Sequence, residues 1–200
     1  MTQQAITDKE LIILALDPSM SAWGWSVLKI DGTILGCGCI KTVPENKVRR
    51  IRKGDDDVRR IADINHILLK RIKYHKVNYL VTELPHGSQN SAGAKMIGVT
   101  QGILQTMSQT LGIPIDWFSE GDSKKALLGK ISATKVETIN AIDAIYDVPV
   151  TGKPKEGAPW TGKKYIDEAV ADSISIFHVA LEQSSFLQYY KNKTYDNTKI

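Results

Sequence analysis

Residues 11–43 read LIILALDPSMSAWGWSVLKIDGTILGCGCIKTV, and this stretch decides the fold. LIILALD is a continuous apolar run, short and rich in branched residues, closed by Asp17. Such a run fits a strand buried on both faces. Two further runs meet at Asp31-Gly32, a pair that favours a tight hairpin turn. Trp23 and Trp25 share one strand face and read as core, with base stacking as the competing role. Cys37 and Cys39 likewise share a face and read as buried free thiols of a reducing compartment. The chain opens on three antiparallel strands.

Outward from there, Pro44 to Asp57 reads as a charged connection. Val58, Ile61, Ile64, Leu68 and Ile72 then recur at helical spacing, with basic residues on the other face. VNYLVTE (77–83) is a second buried run ending in an acid, Glu83. A loop, LPHGSQNSAG, leads to a helix from Ala94 to Leu111, and IPIDWF (113–118) is a third core strand. Residues 119–146 read as two helices broken near Gly129. Residues 149–164 carry three prolines, three glycines and four lysines and read as a surface loop. YIDEAVADSISIFHVALEQ closes the domain as an amphipathic helix before a polar tail, 186–200. This order implies an α/β fold with a mixed sheet, antiparallel in its hairpins and parallel where helices cross over.

The 200 residues suit one domain, here 11–185 behind a flexible start at 1–10. With 42% hydrophobic and 24% charged residues, disorder, collagen and coiled coil are excluded. No apolar run is long enough to span a membrane and MTQQAITDKE is no signal peptide, so a soluble cytoplasmic protein is expected. The four histidines (His66, His75, His86, His178) are scattered, and two cysteines make no structural zinc site. The net charge of +4 is unevenly placed: Lys41 to Lys76 is +7 and the rest is −3. A concentrated basic segment suits a polyanion, with Arg49, Arg50, Arg52 and Lys53 as its DNA-binding residues. The competing reading is a solvated face whose neighbours, Asp55 to Asp57, offset it.

Asp17 and Glu83 each end an apolar strand, where ligands of open α/β sheets gather. If the two strands are parallel neighbours, both carboxylates emerge at one edge. Asp172 interrupts the apolar stripe of the last helix, and Glu168, four residues earlier, shares its face. Carboxylates gathered this way repel, and a hard divalent cation compensates them. The bland alternative is that the two strand-ending acids start turns and Glu168 caps a helix.

Four segments carry a resemblance to RuvC-type Holliday junction resolvases of the RNase H-like (retroviral integrase) superfamily, especially the phage-encoded members. They are LALDPSMSAWGWSVL (14–28), VTELPHGSQNSAGAKMIGVTQGIL (81–104), SKKALLGKISATKVETI (123–139) and IDEAVADSISIFHVAL (166–181). The resemblance implies an RNase H-like mixed five-stranded sheet flanked by helices. It further implies a divalent-metal-dependent endodeoxyribonuclease that resolves Holliday junctions by symmetric paired nicks, with two Mg2+ or Mn2+ ions per site and no nucleotide cofactor. Asp17, Glu83 and Asp172 match the family's metal ligands, and Lys124 and Lys135 match its lysines near the scissile phosphate. Lys125 and Lys130 are available to the same backbone. Many family members place Asp or His three residues before the last Asp; that position here is Ala169, and Glu168 is the substitute, preferred over Asp167. The loop after Glu83 lies where the family presses on the opened junction, which makes His86, Gln89 and Asn90 contact residues. Branched DNA, a C2 homodimer involving the 94–111 helix and no membrane complete the expectation. Competing functions are an RNase H-like nuclease of broader branched-DNA or hybrid specificity and a catalytically decayed DNA-binding protein. An actin-like or sugar-kinase-like ATPase needs two related domains, for which the chain is short.

Overall fold

The computed structural model describes residues 10–85, 87, 91–148 and 164–196, with side chains in the last two helices described over 168–193. Five strands, β1 (Ile12–Asp17), β2 (Ala22–Lys29), β3 (Ile34–Lys41), β4 (Tyr79–Glu83) and β5 (Ile115–Phe118), form one sheet in the order β3-β2-β1-β4-β5. The first three pair antiparallel, whereas β4 and β5 add in parallel. The described helices are α1 (Asn46–Arg49), α2 (Lys53–His75), α3 (Ser91–Leu111), α4 (Glu120–Leu128), α5 (Lys135–Ile145), α6 (Lys164–Gln183) and α7 (Ser185–Asp196). None is long and apolar enough to cross a membrane. The expected mixed five-stranded sheet is present.

Two cores follow from the period-2 alternation of β1. Leu11, Ile13 and Ala15 face one way with Tyr79 and Val81, under α5, α6 and α7. Ile12, Leu14 and Leu16 face the other with Trp23, Trp25 and Leu80, covered by Ile64, Leu68 and Ile72 of α2 and Leu104 and Met107 of α3. Both tryptophans are therefore core residues, as their spacing predicts. Cys37 and Cys39 form no disulfide and are half-buried rather than fully buried. Helix α4 ends on Gly129 in the left-handed region (φ 71°), and capping boxes at Ser119/Asp122 and Thr134/Glu137 start α4 and α5, which accounts for the break.

Three expectations need correction. Helix α2 starts at Lys53, not Val58, and Asp55 and Asp56 occupy its first turn, where carboxylates complement the exposed backbone N–H groups. Its inner face is partly charged: Asp56, Asp57 and Arg60 are buried while Val58 is 65% exposed. Finally, α7 occupies 185–196, within the segment read as a polar tail, and buries Leu187 and Tyr190 against the core. Residues 1–9 and 149–163, read as a flexible start and a surface loop, lie outside the described residues.

Helix α6 meets β2 backbone to backbone. A Cβ built on Gly24 would stand 1.9 Å from the Ala169 carbonyl oxygen and 2.7 Å from its carbon. Two residues further along β2 and four further along α6, Ser173 donates to Ser26 Oγ at 3.1 Å, both side chains fully buried. Because the obstacle at Gly24 is backbone, no rotamer change relieves it. Gly24→Ala is expected to cost about 3 kcal/mol or more, at the upper end of overpacking penalties, measured as a lowered denaturant midpoint, with the surviving folded fraction impaired at the edge built around Asp17.

Candidate active site

The alternation that builds the cores also aims the acids. Asp17 continues the face of Ile13 and Ala15, and Glu83 continues that of Tyr79 and Val81, so both project towards the layer holding α6. The strands are parallel neighbours with Leu16 opposite Thr82, which sets Asp17 beside Glu83. Asp17 also lies opposite Gly24 in the antiparallel register. The contact between Gly24 and Ala169 thus docks α6 at that same edge, with Asp172 one turn further along the helix.

The electrostatics are those of carboxylates set close together. Burial raises Asp17 well above the ordinary carboxylate range, and the charges of Asp172, Glu83 and Glu120 raise it further. Burial, then Glu120 and Asp172, push Glu83 up to about 7. Asp172 rises to about 6, mainly through burial, with Lys135 and Lys124 opposing the rise and Glu120 adding to it. Three acids from β1, β4 and α6 therefore share one poorly solvated region flanked by two lysines.

Glu120 was not anticipated. It opens α4 two residues past Phe118, the β5 residue paired with Glu83, and its carboxylate accepts from Lys124 one helical turn on. A signal was available: IPIDWF is a third apolar strand with an acid just beyond its end. Lys135, the first residue of α5, donates to Glu168, so the expected fourth acid sits at the site already paired with an expected lysine. Ala169 is buried against β2. Lys130 pairs with Glu137, while Lys124 and Lys135 are the lysines whose charge reaches the central acids. The described side chains do not include that of Asp167, and His86, Gln89 and Asn90 lie outside the described residues.

Among the described residues no three acidic, His or Cys side chains close around a common point as a ready cage. The donor set nevertheless suits a hard divalent cation: Asp17, Glu83 and Asp172 offer only oxygen donors and are half-buried, Asp172 raises the cost of ionising both Asp17 and Glu83, and Glu83 adds to that of Asp17. A metal relieves that repulsion in a way that two lysines, already paired with Glu120 and Glu168, do not.

The chain matches no family model. It is 24% identical over 152 residues to the crossover junction endodeoxyribonuclease RuvC of Protochlamydia amoebophila, covering 74% of this chain and 85% of that one. The RuvC of Yersinia enterocolitica is 22% identical over 177 residues, 87% of this chain and 90% of its own. Among solved structures, Thermus thermophilus RuvC in complex with a Holliday junction substrate superposes with a TM-score of 0.63 at 15% identity, covering 88% of this chain and 97% of that one. The yeast mitochondrial Holliday junction resolvase superposes at 0.55 with 12% identity, over 95% and 87% of the two chains. The resemblance read from four segments is borne out in sequence and in fold.

Raised acids set a pH dependence of stability. Glu83 ionises near its ordinary value of 4.5 in the unfolded chain but at about 7 in the fold, so the folded state holds the extra proton between these values. Stability of the metal-free protein is therefore expected to fall as pH rises from about 4.5 to about 7. In chelator at pH 8, Glu83→Gln should unfold at higher urea than the parent, by about 1–3 kcal/mol, and the gain should vanish at pH 4.5.

Proposed function

We propose that this chain is a RuvC-type Holliday junction resolvase, an endodeoxyribonuclease that hydrolyses phosphodiesters at branched DNA. The observation that carries this reading is the convergence of Asp17, Glu83 and Asp172 from β1, β4 and α6 on one edge of an RNase H-like sheet. The names of the relatives, crossover junction endodeoxyribonuclease and Holliday junction resolvase, supply the substrate class.

Asp17, Glu83 and Asp172 would hold the metal, with Glu168 as the fourth ligand. The metal held there, which we assign as two Mg2+ or Mn2+ ions, would supply an activated water and neutralise charge at the departing 3′ oxygen. The protein's own contribution is placement. Burial keeps bulk water from screening the carboxylates. Lys124 and Lys135 present ammonium groups to a phosphate entering between α4 and α5, and Glu120 and Glu168 fix where those ammonium groups stand. Lys125 and Lys130, Arg49, Arg50, Arg52 and Lys53, and His86, Gln89 and Asn90 serve binding of the surrounding strands.

Paired nicks need two sites, and we assign a homodimer. A groove of about 480 Å³ between α2 and α3, lined by Leu69, Val99, Gly102, Ile103 and Met107 among others, supports it as an apolar surface on the helix expected at the interface. No membrane association and no nucleotide cofactor enter this reading, and the compartment is the cytoplasm.

The test is a synthetic four-way junction with Mg2+ or Mn2+, beside forked, flapped and hybrid substrates. Symmetric paired nicks in the junction are expected, and Asp17→Asn should abolish cutting while leaving junction binding intact. Cutting that persists in Asp17→Asn overturns the assignment; binding without cutting by the parent favours the decayed DNA-binding reading. Leu69→Glu, which places a charge in the groove, should shift the protein from dimer to monomer in sedimentation equilibrium and abolish coordinated second-strand cutting.

A further inference from the structure

The basic segment between β3 and α2 is folded back on its own acids. Arg49 pairs with Glu45, and Arg52 makes a two-point contact with Asp55 at 2.8 and 2.9 Å. Arg59 spans Asp56, Asp63 and the Val43 carbonyl, while the buried Asp56 accepts from the Glu45 amide at 3.0 Å. These contacts hold the segment against the body and place its end, Lys53, at the mouth of a cleft of about 400 Å³. The walls are the β1–β2 turn (Met20, Ser21), the first turns of α2 (Lys53, Asp57, Arg60) and the first turns of α3, including Lys95.

Arg60 is the rivet of this cleft. Its buried guanidinium donates to Thr42 Oγ1 at 2.8 Å, the Met20 carbonyl at 2.8 Å and Ser21 Oγ at 3.1 Å, tying α2 to the turn that follows Asp17. Asp57 approaches Lys95 at 3.4 Å and Arg60 only at 4.0 Å, both longer than a tight charge-assisted bond of about 2.7–2.9 Å. Lys95, 57% exposed, thus keeps donors for another anion, and three cations face one carboxylate.

We infer that this cleft seats one backbone phosphate of the bound DNA, contacted by Lys95 and Lys53 and held at a fixed distance from the catalytic edge by Arg60. The inference rests on the nuclease reading and adds a subsite to it. A phosphodiester suits the place: Lys95 and Lys53 supply charge, and Met20, Pro44, Ala92 and Met96 offer apolar contact for the adjoining sugar. The turn forming one wall begins directly after Asp17, and the helix forming another follows the connection from Glu83. A phosphate seated here therefore registers the strand against both acids.

Junction affinity is measured in the Asp17→Asn background across a salt series, then with neutral methylphosphonate linkages placed singly around the branch. Lys95→Ala and Lys53→Ala are each expected to weaken binding about 5- to 10-fold and to reduce the salt slope by about one. Lys29→Ala, at the far end of β2, should change neither. One methylphosphonate position should weaken the parent but not Lys95→Ala. Unchanged affinity and slope in Lys95→Ala, with circular dichroism matching the parent, overturn the subsite while leaving the nuclease reading standing. Absence of junction binding by the parent overturns both.

Discussion

The edge that gathers the acids depends on one contact between backbones. At Gly24 the sheet lacks a side chain, and the Ala169 carbonyl occupies the space a methyl group would fill. Because Gly24 is the register partner of Asp17, the place where α6 comes nearest the sheet is also the place where the first acid leaves it. Ser173 and Ser26 extend the same seam with a buried hydrogen bond, so α6 is held in rotation as well as distance. Those constraints deliver Asp172 to Asp17 and Glu83 without any bond among the acids themselves, which only repel.

That repulsion is the energetic signature of the site. A fold optimised for stability alone would not gather three half-buried carboxylates at one edge, since desolvation and like charge both disfavour their ionised forms. Here both effects act on Asp17 and Glu83. The lysines soften the cost only partly, because Lys124 and Lys135 each answer to an acid of their own, Glu120 and Glu168. Strain of this kind is the expected companion of function, where stability is surrendered for an arrangement a ligand will complete.

How much of this was legible in the sequence varies with the physics involved. The strands and their terminal acids were legible because period-2 burial writes itself into apolar runs, and parallel pairing of β1 with β4 then places Asp17 beside Glu83 without further information. Both tryptophans and the break at Gly129 were legible for the same local reasons. The start of α2 was not, because Asp55, Asp56 and Asp57 look like loop residues until Asp56 is seen bonding the Glu45 amide and Arg59. Arg60 reads as one more basic surface residue, yet tertiary contacts bury it. Glu120 escapes the rule that finds Asp17 and Glu83, because it begins the helix after β5 instead of ending the strand.

The basic segment shows why net charge alone misleads. Its +7, twelve basic residues less five acidic ones, suggests a free arm, but Glu45, Asp55, Asp56 and Asp63 tie Arg49, Arg52 and Arg59 into local pairs. The exposed pairs among them, Arg49–Glu45 and Arg52–Asp55, contribute little to stability. Their consequence here is placement: they convert a flexible run of like charge into a fixed wall. Cations held in a wall lose little conformational freedom on meeting a phosphate, whereas those on a free arm must be ordered first. The local pairs of these acids therefore preorganise the start of α2, where Lys53 shares one cleft with Lys95 of α3 beside the turn that follows Asp17.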